Sequence, residues 1–100
     1  MDIFAFTPIG DTVNITAATS TGRVQITDSS AGSSNIRIHN KGTEPVWIKF
    51  GDSTVTAVLA TSIPVPVGAI EIFGIGNSKY VAAITSSGTS ALYATPGQGA

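Results

Sequence analysis

The strongest constraint on this chain is a rhythm. Short β-branched runs recur about every 10 residues, separated by clusters of Gly, Asn, Asp, Ser and Pro. No stretch repeats apolar residues at i, i+3, i+4 and i+7 over three turns, and the usual surface helix formers are rare. The pattern predicts strands over residues 12–18, 23–27, 34–40, 45–50, 54–60, 63–67, 69–73, 79–85 and 89–95. A chain of 100 residues has room for one core. The reading is an all-β, single-domain antiparallel β-sandwich of jelly-roll type with about eight strands, a meander barrel being the alternative.

Alternation assigns faces to several of these strands. In 34–40, Ile36 and Ile38 point one way while Asn35, Arg37 and His39 point the other. In 45–50, Val46, Ile48 and Phe50 face the core and Trp47 and Lys49 face out. The intervening 40–44 loop is expected to close a hairpin, with Gly42 supplying a positive φ. That hairpin would set Arg37 or His39 opposite Trp47, a cation–aromatic pair worth about 0.5–1 kcal/mol at an exposed site. A second hairpin is expected around Ser86-Ser87-Gly88. It would place Tyr80, Ala82, Ile84, Leu92 and Ala94 on one face and Val81, Ala83, Ala91 and Tyr93 on the other. Neither face is charged, so such a pair is either central to the core or covered. Pro64 and Pro66 cannot donate to a ladder and confine 63–67 to an edge or a crossover.

The ends differ from this body. Residues 1–10 form an apolar arm carrying Ile3, Phe4 and Phe6, residues 11–95 form the sandwich, and 96–100 read as a flexible tail. The arm contains no Lys or Arg, so it is not expected to act as a signal peptide.

Composition narrows the function. Only 11% of residues are charged, against roughly 25% in average soluble domains. The five basic residues are scattered singly, which argues against a nucleic-acid partner, since phosphate binding needs clustered cations. No apolar run reaches the roughly 18 residues of a membrane helix. With 42% hydrophobic residues and few charges, the surface suits a protein that spends its life docked.

Chemistry finds no foothold. His39 is the single histidine and sits mid-strand, and no Gly-x-Ser-x-Gly elbow occurs. The six carboxylates are dispersed without metal-ligand spacing, and cysteine is absent. The Gly74-Ile75-Gly76-Asn77-Ser78-Lys79 stretch leads into a strand rather than a helix, so it reads as a turn and not a phosphate cradle. The expectation is a non-enzyme with no metal and no cofactor. Its candidate protein-interface residues are Ile3, Phe4 and Phe6 on the arm, and Arg37, His39, Trp47, Lys49 and Tyr93 on outward strand positions.

Three stretches carry a resemblance. They are Phe6-Thr7-Pro8 leading into residues 11–15, then residues 35–43 with Val46-Trp47-Ile48-Lys49-Phe50-Gly51, and finally residues 81–85 with 92–99. Together they resemble small bacteriophage virion proteins of the capsid decoration, or cement, type. The resemblance implies a jelly-roll-like structural protein on the outer capsid surface, made in the bacterial host cytoplasm. It also implies the phage major capsid protein as partner and self-association as a dimer, or second a trimer. A tail or head-fibre base, or a carbohydrate-binding module using Trp47 and Tyr93 as stacking platforms, are the alternatives.

Overall fold

The structure, a computed structural model, describes residues 6–8, 11–26, 35–75 and 78–98. Among these residues nine strands follow in chain order: β1 (Thr7–Pro8), β2 (Val13–Ala17), β3 (Gly22–Gln25), β4 (Asn35–Asn40), β5 (Val46–Gly51), β6 (Ile63–Val65), β7 (Ile70–Gly74), β8 (Tyr80–Ile84) and β9 (Ser90–Gln98). No helix occurs among the described residues. A front sheet runs β1/β2, β9, β4, β7, and a back sheet runs β3, β8, β5, β6. Thr7 and Pro8 pair with Gln98 and Gly97, while β2 pairs with residues 90–94 of the same strand. Strand β4 occupies the other side of β9, so β1 and β2 are two pieces of one edge.

Every pairing among the described residues is antiparallel, and four of them nest: β2 with β9, β3 with β8, β4 with β7, and β5 with β6. A ribbon of nested pairs folded over on itself is the jelly roll, with its two sheets closing around one core. The core is the inward alternate set from both layers: Ile15, Ala17, Ile36, Ile38, Leu92 and Ala94 from the front, Val46, Ile48, Val65, Val81 and Ala83 from the back. Burying each of the larger aliphatic side chains contributes about 1.5–3 kcal/mol. Phe50 and Phe73 meet at 5.5 Å between ring centroids and extend the core toward the β6–β7 side.

Several expectations give way to this connectivity. Strands β4 and β5 lie in different sheets, as do β8 and β9, so neither expected hairpin exists. The 41–45 and 85–89 segments instead cross from one layer to the other. The uncharged β8 and β9 are the inner strands of their sheets, each flanked on both sides. Gly42 does not have a positive φ; among the described residues only Gly68 (79°) and Gly88 (67°) do. Gly42 is required by close approach instead, because an added Cβ would meet Ser90 Oγ and lie 2.6 Å from Ala91 N.

The segment expected as a strand over 54–60 is a connection built from turns, with Val55 N bonding Asp52 O at 3.1 Å and Ser62 N bonding Val58 O at 3.0 Å. At the C-terminus, β9 runs past residue 95 through the buried Pro96 and Gly97 to Gln98, where a tail was expected. Pro96 is tolerated because it pairs with Ile36 on one side while β1 begins only at Gly97 on the other. Ile3 and Phe4 lie outside the described residues. Phe6 is half-buried and leads into β1, so this part of the arm is tied to its own sandwich.

Candidate functional site

The two outer faces differ in what crosses them among the described residues. On the back sheet, the outward positions include Arg23 of β3, Ala82 and Ile84 of β8, and Trp47 and Lys49 of β5. The β5–β6 connection lies across this face. Arg23 Nη1 donates to Val55 O at 3.0 Å, and Ala57 N donates to Thr21 Oγ1 at 2.8 Å. A Cβ added to Gly51 would lie 2.9 Å from the Val55 side chain. The connection therefore leaves β5, passes over β8 and reaches β3. This explains why Ala82, at an outward position, is 0% exposed.

At the start of the connection, Thr54 donates to Asp52 Oδ1 through its hydroxyl at 2.6 Å and its amide at 2.8 Å. These two bonds, the hydroxyl first, hold the Asp52 carboxyl below the usual carboxylate range.

The front sheet's outer face has no such cover among the described residues. Its side chains form rows across the strands. One row runs Asn14, Tyr93, His39, Ile70, and the next brings Thr95, Arg37 and Ile72 into line. His39 and Tyr93 stand 6.4 Å apart between ring centroids, tilted by 56°. Thr12 Oγ1 lies 2.8 Å from Thr95 Oγ1 and extends the second row to the β2 side. Among the described residues Arg37 has no hydrogen-bond or ion-pair partner, so its guanidinium donors are available to a ligand or partner.

The predicted interface residues thus divide. Arg37, His39 and Tyr93 come together on the outer face of the front sheet, each half-buried. Trp47 and Lys49 lie on the opposite outer face, because the inward neighbours of β4 and β5 share one core between them. Trp47 stands between Pro64 and Ile84, not beside Arg37 or His39, and is half-buried. The cation–aromatic pair across a hairpin does not form. Ile70 and Ile72 complete the two front rows and were not singled out from the sequence. The signal that could have found them is the parity of 69–73 once its pairing with β4 is known.

Among the described residues no three His, Cys, Asp or Glu side chains gather as a metal site, and no helix is long and apolar enough to cross a membrane.

The strand order defines the chain as a jelly-roll β-sandwich. Among solved structures it is similar to a chain from a structure described as "Bacillus endospore appendages form a novel family of disulfide-linked pili", with a TM-score of 0.57, 20% sequence identity, and coverage of 96% of this chain and 90% of that one. No family model matches the sequence, and no curated protein matches it.

Proposed function

We propose that this jelly roll is a non-catalytic structural module that docks on another protein surface through the outer face of its front sheet. The assembly that the sequence resemblance suggests is the exterior of a phage capsid, with the major capsid protein as partner and cementing of the shell as the task. The single observation that carries docking is the contrast between faces. The back face is crossed by the chain's own 52–62 segment above Ala82, while the front face, with no such crossing among the described residues, presents Arg37, His39 and Tyr93 in adjacent rows. Tyr and Arg are the residue types on which interface energy concentrates. The surrounding Asn14, Thr16 and Thr95 offer hydrogen bonds at low desolvation cost, and repetition over a shell would multiply a modest affinity.

The test is co-sedimentation with undecorated heads of the phage that encodes the chain. Wild-type protein should pellet with heads, and Arg37→Ala/Tyr93→Ala should stay in the supernatant with an unchanged circular-dichroism spectrum. Wild-type protein that never pellets would overturn the capsid reading.

A second reading, a filament subunit, is favoured by the fold likeness to a chain described in connection with pili. That protein's description names disulfide linkage, and this chain has no cysteine, so a filament of it would be held non-covalently. Ordered fibres in electron micrographs of the concentrated, purified chain would favour this reading over the first.

A further inference from the structure

The four sheet edges are not equally protected. Strand β6 carries Pro64 and is followed by Pro66, which block a ladder. The β1/β2 edge is broken into two pieces and contains Pro8. Strand β3 has four residues and projects Arg23. Strand β7 has five residues, no proline and no lysine, and among the described residues only β4 pairs with it. Native sheets normally defend such an edge.

The outward backbone groups of β7 can be assigned. Asn40 N donates to Ala69 O at 3.0 Å and Asn40 O accepts from Gly68 N at 2.9 Å, whereas Lys41 N donates to Ala91 O on the other side. Even-numbered residues of β4 therefore aim their backbone groups at β7. Their partners Glu71 and Phe73 bond back, which leaves the N–H and C=O of Ile70, Ile72 and Gly74 directed out of the sheet.

We infer that β7 is a self-pairing edge, joining two copies of this chain antiparallel about a two-fold axis through Ile72. In that register Ile72 exchanges both N–H···O bonds with the second copy's Ile72, and Ile70 does so with the second copy's Gly74. Every outward backbone group of the strand is then used. Ile70, 50% exposed in the single chain, comes to lie beside a glycine that leaves it room. The strand's one charge, Glu71, falls opposite the second copy's Phe73. Shifting the axis to Glu71 would oppose two carboxylates, and shifting it to Phe73 would shorten the overlap.

In the back layer the two β6 edges would approach. Their prolines bar a ladder, but the exposed Ile63 and Val67 supply apolar cover. The large exposed hydrophobic residues among the described residues all fall within 58–70, at the start of β6 and β7 or in the segments that lead into them. A two-fold at this edge is the closed, isologous arrangement most common among soluble oligomers. The two front faces would merge into one sheet of twice the width, with both Arg37 rows on the same side. The pairing does not depend on what that face binds.

The absence of cysteine makes the test direct. Ile72→Cys would place two thiols across the two-fold at a Cα separation of about 5.5 Å, within disulfide reach. Mild oxidation should convert Ile72→Cys to a covalent dimer and leave Thr16→Cys, on the opposite edge, monomeric. Sedimentation of the wild type should give about twice the 10.1 kDa chain mass, and Ile72→Pro, which deletes an outward N–H rather than one bonded to β4, should sediment as a folded monomer. Wild-type protein that stays monomeric up to its solubility limit, or equal cross-linking of the two cysteine variants, would overturn the proposal. Dimerisation through another element would appear as wild-type dimers with no Ile72→Cys cross-link, which also overturns it.

Discussion

Ser90 donates its hydroxyl to the side-chain oxygen of Asn40 at 2.8 Å, joining two buried polar groups fifty residues apart in the chain. Asn40 is 0% exposed, yet its amide is fully used. Its nitrogen donates to Glu44 O and Val65 O, both at 2.9 Å, and its oxygen also accepts from Gly42 N at 3.1 Å. One side chain thus links β4, the turn that leaves it, β6 and the start of β9. Asn40→Ala would strand two carbonyls, an amide and a hydroxyl together. A loss of about 3 kcal/mol or more is expected, against about 1–2 kcal/mol for Ser90→Ala. Urea denaturation of the two variants measures the difference.

Asn40→Asp has a different signature. A carboxylate there would face the Glu44 and Val65 carbonyls, so burial and those oxygens favour its protonated form and raise its folded pKa above the unfolded value. The variant should be closest to wild type below the unfolded carboxyl pKa and lose stability as pH rises through the folded pKa. Denaturation midpoints across an acidic pH series check the sign.

Gly42 and Gly22 separate two roles for glycine. A Cβ at Gly42 meets Ser90 and the backbone of Ala91, whereas one at Gly22 meets nothing within 4 Å. Gly42→Ala should cost about 2–3 kcal/mol through overpacking. Gly22→Ala should be neutral or stabilise by up to about 1 kcal/mol by restricting the unfolded chain. Thermal melts of both report the contrast.

Ala82 lies beneath the segment that crosses the back sheet. Ala82→Leu should lift that segment, at a cost of about 1–3 kcal/mol, and open residues 52–62 to limited proteolysis. A cleavage rate equal to wild type would show that the segment does not depend on this contact.

The Asp52–Thr54 pairing gives a second pH signature. A carboxyl with a depressed pKa contributes order that is present above its unfolded pKa and lost as pH falls through its folded pKa. Thr54→Val removes the stronger of the two hydrogen bonds, and the Asp52 titration followed by NMR should move upward.

Much of the fold was legible locally. The inward set Ile36, Ile38, Val46 and Ile48 follows from period-two alternation, because a strand places successive side chains on opposite faces whatever it pairs with. The prolines at 64 and 66 marked an edge for an equally local reason. Pairing was not legible. A five-residue link such as 41–45 can close a hairpin or step between layers, and nothing in its composition decides which. Asn40 carried a signal that was read as turn chemistry: it continues the inward parity of Ile36 and Ile38, so a polar residue stands at a core position where partners must be supplied.

The candidate face shows the same division. Outward positions for Arg37, His39, Trp47 and Lys49 were set by alternation alone, but whether they share a surface depends on which sheet each strand joins. The core lies between β4 and β5, so the same alternation sends Arg37 and Trp47 in opposite directions.

By itself, then, the sequence determined a β-rich chain, where most of its strands lie and which side chains point inward, since those depend on neighbours one or two residues away. Tertiary structure decided which strands pair and, among the described residues, which outer face is crossed by no segment and which edge has a single partner strand. Those outcomes rest on contacts such as Arg23 with Val55 and Asn40 with Ser90, whose members are brought together only when the whole ribbon has folded over its core.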